Sequence, residues 1–198
     1  KVCGARGIGA LIAHRTIPLL PLYRGGGQER GMRPGSEAPE LAKEFAAALR
    51  AAAQGREAFR ASASRARERL VAVLQSSIQD VHINEGGKAG LPVGRQAPNI
   101  LNLSLPGRDP SRRGGAEVDT DYLVALLDEA GFAVSSRSAC ETDSVEGSRA
   151  VFALTGDRAR ARATLRISWG PSASPGDLTR FARALTRAVT FIDISRNG

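Results

Sequence analysis

Cysteine and histidine are scarce in this chain: Cys3 and Cys140, His14 and His82 are all there are. Two thiols cannot build a disulfide framework and suggest a reducing compartment. At these spacings the four residues form no zinc motif, so a structural metal is not expected. Aromatic residues make up only 5%, leaving little for base stacking. No apolar run approaches the ~20 residues of a membrane span. No basic stretch leads into an apolar one at the N-terminus, so a signal peptide is not expected. Lysine is nearly absent too. Lys1, Lys43 and Lys88 leave 25 arginines to carry a net charge of +8. An arginine-rich chain can bind RNA through phosphates. Between Arg50 and Arg69, however, the arginines fall among Ala, Glu and Ser at helical spacing, which describes solvated helix faces and argues against specific nucleic-acid binding.

What remains is an ordinary globular composition, 42% hydrophobic and 24% charged, in 198 residues. That length suits one domain, or one small domain plus part of another. Residues 8–14 read as a short buried strand leaving a glycine loop, and residues 25–35 as an obligate loop. From Glu37 the period turns helical through Leu41, Phe45, Ala48 and Leu49. Gly55 is expected to interrupt it, and Gln54-Gly55 is the candidate domain boundary. A second helical run carries Phe59, Ala63, Ala66, Leu70, Val73 and Leu74. Residues 81–84 suggest an edge strand and residues 100–105 a half-buried one; the stretches to Arg95 and from Gly107 to Gly115 suggest loops. Asp119 or Thr120 caps a helix bearing Tyr122, Leu123, Leu126 and Leu127, ended by Gly131. Residues 132–134 read as a strand, 148–154 as a helix and 164–169 as a strand. Ser174 with Pro175 and Asp177 opens a last helix to about Ile192. Helices alternating with short strands predict an α/β or α+β organisation.

Two residues stand out chemically. Lys1 begins a glycine-spaced run, Lys1-Val2-Cys3-Gly4-Ala5-Arg6-Gly7-Ile8-Gly9-Ala10-Leu11. A tight glycine loop ahead of an apolar stretch is one way to hold a cofactor-bearing amine over a pocket. Cys140 ends a small, hydroxyl-rich stretch, Ser135-Ser136-Arg137-Ser138-Ala139-Cys140. An amine and a thiol on separate loops are the minimum kit for pyridoxal-phosphate sulfur chemistry. A surface lysine and a buried structural cysteine are the plain alternatives.

Five segments, in order, favour the first of these readings. The Lys1 run resembles HKxYGPKGIGAL. Gly25-Gly26-Gly27-Gln28-Glu29-Arg30-Gly31-Met32-Arg33-Pro34-Gly35-Ser36 resembles GGGQERGxRSGT. Ala97-Pro98-Asn99-Ile100-Leu101-Asn102-Leu103-Ser104 resembles PNxLNxS, Ser135 to Cys140 resembles SSGSAC, and Leu165-Arg166-Ile167-Ser168 resembles IRFS. Together they resemble the C-terminal half of a cysteine desulfurase of the NifS/IscS type, a fold-type I, class V aminotransferase-like enzyme. Any one motif alone is weak.

That resemblance implies an α/β fold. Residues 1–55 would be the end of a large cofactor domain, and residues 56–198 a smaller α/β domain with the cysteine loop. It implies pyridoxal 5'-phosphate as cofactor, attached at Lys1, whose amine also moves the substrate's α-proton. Cys140 would take sulfur from L-cysteine as a persulfide and release L-alanine. Arg166 would clamp the substrate carboxylate, and Ser36 would reach a cofactor phosphate across a homodimer interface. Asn99 and Asn102 are expected to stabilise turn and strand, and Cys3 to pack. Implied partners are a sulfur acceptor or scaffold protein serving iron–sulfur assembly or thiolation, in the cytoplasm, with an organelle left open. A selenocysteine lyase, a cysteine lyase or an inactive sulfur-relay fragment are the alternatives.

The chain also departs from the pattern. Gly4-Ala5-Arg6-Gly7 replaces GPKG, Pro34 replaces serine, and Arg137 stands where the loop usually has glycine. Glu141 and Asp143 follow the cysteine in place of small residues, opposing any lowering of its pKa by Arg137.

Overall fold

A computed structural model describes residues 2–85, 96–105, 119–136 and 147–197, with side chains as far as residue 193. The chain divides into two compact units, Lys1–Ala58 and Phe59–Gly198. The division falls inside the first helix, α1 (Pro39–Ser77). The expected break at Gly55 is absent, because a glycine costs a helix only about 1 kcal/mol and here follows a run of alanines.

In the first unit, a short 3₁₀ turn, Gln28–Gly31, sits in the glycine-rich stretch, with Glu29 and Arg30 in left-handed conformation. Gly4 lies so close to α1 that an added Cβ would sit 3.2 Å from that of Ala48. The strand expected at residues 8–14 does not form. Leu11 is 81% exposed, Ile12 92% and Leu20 90%. A strand needs a neighbour for its backbone groups and a surface for its side chains, and the described residues offer it neither. No described residue of this unit is buried. Cys3, expected to pack, is exposed for the same reason.

The second unit has a core. Its sheet runs β1 (His82–Ile83), β2 (Ile100–Ser104) and β3 (Thr164–Ser168) in the order β1-β2-β3, antiparallel throughout. Alternation puts Leu101, Leu103, Leu165 and Ile167 on one face, all essentially buried. They pack with Leu70, Leu74 and Ile78 of α1, Leu123 and Leu127 of α2 (Thr120–Glu129), and Phe181, Leu185 and Val189 of α5 (Pro175–Asn197). Between α2 and β3 lie α3 (Arg149–Thr155) and α4 (Arg158–Arg162); the latter escaped the pattern reading because five arginine-rich residues carry no apolar period. Residues 132–134 form no strand. Only Ser135 bridges to Arg166.

Helix starts follow their caps. The Asp119 carboxylate accepts from the backbone N–H groups of Asp121 and Tyr122. At α5 the Ser174 hydroxyl accepts from Asp177 N–H while the Asp177 carboxylate accepts from the Ser174 N–H and hydroxyl, at 2.8 and 2.7 Å. The loops expected before Arg95 and between Gly107 and Gly115 lie outside the described residues.

Asp119→Ala is expected to cost about 1 kcal/mol in denaturant unfolding through loss of the α2 cap; an unchanged midpoint would refute the capping role. The Ser174 backbone N–H, and then its hydroxyl, hold the Asp177 carboxyl below the usual carboxylate range. A lowered folded pKa adds stability above the unfolded pKa of about 4 and loses it as pH falls through the folded value. Comparing wild type with Asp177→Asn, the stability gap should be level above pH ~4 and close below it. A gap that persists undiminished to strongly acid pH would contradict this.

Candidate functional site

The polar face of the sheet is where the second unit gathers chemistry. Pairing places Asn84 opposite Asn102 and Asn102 opposite Arg166, so the three lie in one row across the strands. Next to it, Ser104 and Thr164 are buried under α4, donating to the Arg160 carbonyl at 2.7 and 2.8 Å. On the other side, Ile100 and Ser168 are exposed. Burial therefore falls along the strands: the row of Ser104 is covered, and that of Arg166 is where the face opens.

Arg166 emerges there for a simple reason. Its neighbours Leu165 and Ile167 face the core, so alternation sends the guanidinium outward. Its strand is flanked on both edges, by β2 on one and on the other by Ser135, whose carbonyl accepts from Arg166 N–H at 2.7 Å and whose N–H donates to the Arg166 carbonyl at 3.2 Å. Among the described residues the guanidinium has one partner, the Ser135 hydroxyl, at 3.5 Å. That leaves most of its donor fork available to an anion.

Ser135 opens the segment that leads to Cys140. The adjoining Ser136 hydroxyl donates to Asp121 at 3.2 Å. Beyond that segment, Gly147 lies against Ala161, where an added Cβ would sit 2.5 Å from the carbonyl oxygen, and Ser148 N–H donates to the same oxygen at 2.8 Å. Both flanks of residues 137–146 are thus tied to β3, α2 and α4. Cys140 itself, with Arg137, Glu141 and Asp143, lies outside the described residues, as does Lys1.

In the first unit, Ser36 follows Gly35, whose φ of +106° suits glycine, and precedes α1. Its hydroxyl is exposed and bonds to none of the described residues, so it does not cap the helix. No cluster of metal-ligating side chains occurs among the described residues.

Pattern reading passed over the network beside Arg166. Arg160 Nη2 donates to Asn84 Oδ1 at 2.6 Å, and Asn84 Nδ2 donates at 2.7 Å to both Asn102 Oδ1 and Ser104 Oγ. Asn99 does what was expected of it, its Nδ2 donating to the Trp169 carbonyl at 2.8 Å and tying β2 to the end of β3. The signal available was Asn102 inside a strand, where that residue is disfavoured, and Asn84 just past the end of another.

These features can be set against known proteins. No family model matches the chain. It is 33% identical over 189 residues to an IscS-like cysteine desulfurase of Mycobacterium tuberculosis, covering 96% of this chain and 44% of that protein. It is 31% identical over 194 residues to a mitochondrial cysteine desulfurase of Saccharomyces cerevisiae, covering 97% and 35%, and 31% identical over 172 residues to the human cysteine desulfurase, covering 86% and 34%. A solved NifS-like protein superposes with a TM-score of 0.66 at 26% identity over 89% of this chain and 40% of that one. A NifS-like protein from Rickettsia africae shares the fold, with a TM-score of 0.65 at 18% identity.

The fold is therefore part of that of the NifS-like proteins, a mixed helix-and-sheet arrangement. More particularly, the chain is homologous to part of the IscS-like and NifS-like cysteine desulfurases. It spans less than half the length of the curated relatives it matches.

Arg160→Met should destabilise the second unit by about 1–3 kcal/mol, because Asn84 Oδ1 loses its donor in a partly buried site. Denaturant titration measures this, and an unchanged midpoint would remove the network from the account.

Proposed function

We propose that the full-length protein is a pyridoxal-phosphate-dependent cysteine desulfurase that converts L-cysteine to L-alanine and leaves a persulfide on Cys140. The observation carrying this reading is Arg166, an outward guanidinium bonded through its backbone to the residue that opens the Cys140 segment. A planar donor fork suits an amino-acid carboxylate, and its strand is braced on both edges, so the carboxylate would be held at a set orientation.

Lys1 would carry the cofactor and move the α-proton of the substrate, in keeping with the motif it opens. Ser36, with an exposed hydroxyl that bonds to none of the described residues, fits an oxygen of the cofactor phosphate. Bound there, the cofactor would supply an electron sink for bond breaking at the substrate's Cα. The Cys140 thiolate would attack the substrate sulfur. The C–S bond then breaks with its electron pair left on Cβ, a proton is taken up there, and the sulfur stays on Cys140 as a persulfide.

The bare first unit supports a larger assembly. Leu11, Ile12 and Leu20 on the surface of a unit with no buried residue among those described need covering. In this reading they are covered by further protein of the large cofactor domain, to which residues 1–55 belong, and by a homodimer partner. Residues 56–198 are the smaller domain. Sulfur would pass to an acceptor or scaffold protein for iron–sulfur assembly or thiolation, in the cytoplasm or in an organelle. No helix among the described residues is long and apolar enough to cross a membrane.

The full-length protein with pyridoxal phosphate and L-cysteine should yield alanine, and a reductant-labile +32 Da species on the peptide containing Cys140 (~32 Da being one sulfur atom). Cys140→Ser should abolish both, and Lys1→Ala should abolish cofactor attachment. Cofactor-loaded wild type that makes no alanine, or Cys140→Ser that turns over normally, would overturn the proposal.

A further inference from the structure

We propose that Asn102 is a second ligand for the substrate carboxylate, its side-chain N–H groups acting beside the Arg166 guanidinium. This rests on the reading of Arg166 given above and adds a residue to which strand-filling alone had been ascribed.

The inference comes from donor–acceptor logic. An asparagine amide can usually be turned either way, but here it cannot. Arginine has donors and no acceptor, so the contact from Arg160 Nη2 requires oxygen at Asn84 Oδ1. Asn84 must then present its NH₂ group to the next row, donating to Asn102 and Ser104. Ser104 can accept, because its own proton goes to the Arg160 carbonyl. Asn102 must therefore turn its oxygen toward Asn84, on the β1 side. Its Nδ2 is left on the other side of the amide, toward β3, where Arg166 is its cross-strand partner. Opposed side chains on one sheet face start roughly 5 Å apart at Cβ, close enough for both to donate to one carboxylate.

Two further observations favour a ligand. Among the described residues, Asn102 Nδ2 has no hydrogen-bond partner, although the residue is half-buried. The network that orients it is also costly: Arg160 Nε is buried with no partner among the described residues. An anion bridging Arg166 and Asn102 would satisfy the outward donors, and their row lies where the face opens.

The test uses the full-length holoenzyme and two probes: 3-mercaptopropionate, which keeps the carboxylate and lacks the amine, and cysteamine, which does the reverse. Asn102→Asp keeps the oxygen that Asn84 needs but replaces the outward donors with a negative oxygen. It should weaken 3-mercaptopropionate binding in calorimetry roughly tenfold or more, with cysteamine affinity and thermal midpoint unchanged. Wild-type affinity for 3-mercaptopropionate would overturn the inference. Arg166→Leu separates the two levels. If it weakens 3-mercaptopropionate and Asn102→Asp does not, only Asn102 is misassigned; if neither does, the carboxylate site itself is wrong. Should Asn102→Asp fail to fold, Asn102→Thr supplies a neutral acceptor to Asn84 without the outward amide, and the same weakening or its absence decides.

Discussion

The antiparallel pairing of β2 with β3 is the interaction on which the rest depends. Five residue pairs in register, from Ile100–Ser168 to Ser104–Thr164, make a two-sided slab. Four aliphatic side chains on one side nucleate the core with α1, α2 and α5. The same alternation puts Asn102 and Arg166 on the other side, and a slip of one residue would exchange the faces. Core and candidate site are thus two consequences of one register, and Arg166 cannot be displaced without disturbing Leu165 and Ile167.

The polar face is graded. At its buried end α4 covers Ser104 and Thr164, and the hydroxyls of both are spent on α4 carbonyls. One row on, Arg166 and Asn102 hold donors that none of the described residues uses. Half-buried polar groups are ordinarily satisfied, which is why the Asn102 amide enters the proposal made above. The near edge is braced as well. Arg67, only 12% exposed, pairs with Glu85 and donates to the Ile100 carbonyl at 2.6 Å, fastening α1 to the residues beside Asn84.

The two units differ in kind. The second closes a core; the first, among its described residues, has none and displays apolar side chains. Sequence motifs are dense in the first unit nonetheless; in the proposed function its glycine loops and lysine would work against surfaces contributed from elsewhere. This is also why reading by periodicity failed there. An apolar run at residues 8–14 carries the pattern of a strand, but a strand is made by its neighbour, and alternation cannot supply one.

Sequence alone determined the features governed by short-range chemistry. Asp119 and the Ser174–Asp177 pair announced two helix starts, because a capping side chain acts on backbone only two or three residues away. The alternation in β2 and β3 announced which side of Arg166 is apolar, and motif order announced the family. Tertiary structure decided what long-range pairing controls. It carried α1 through Gly55, left residues 8–14 without a sheet, and set Ser135 against Arg166. It also turned the Asn102 amide by way of Asn84 and Arg160, residues 18 and 58 positions distant. Nothing local distinguishes an asparagine that fills a strand from one whose donors are aimed; only the direction of the hydrogen bonds converging on it does.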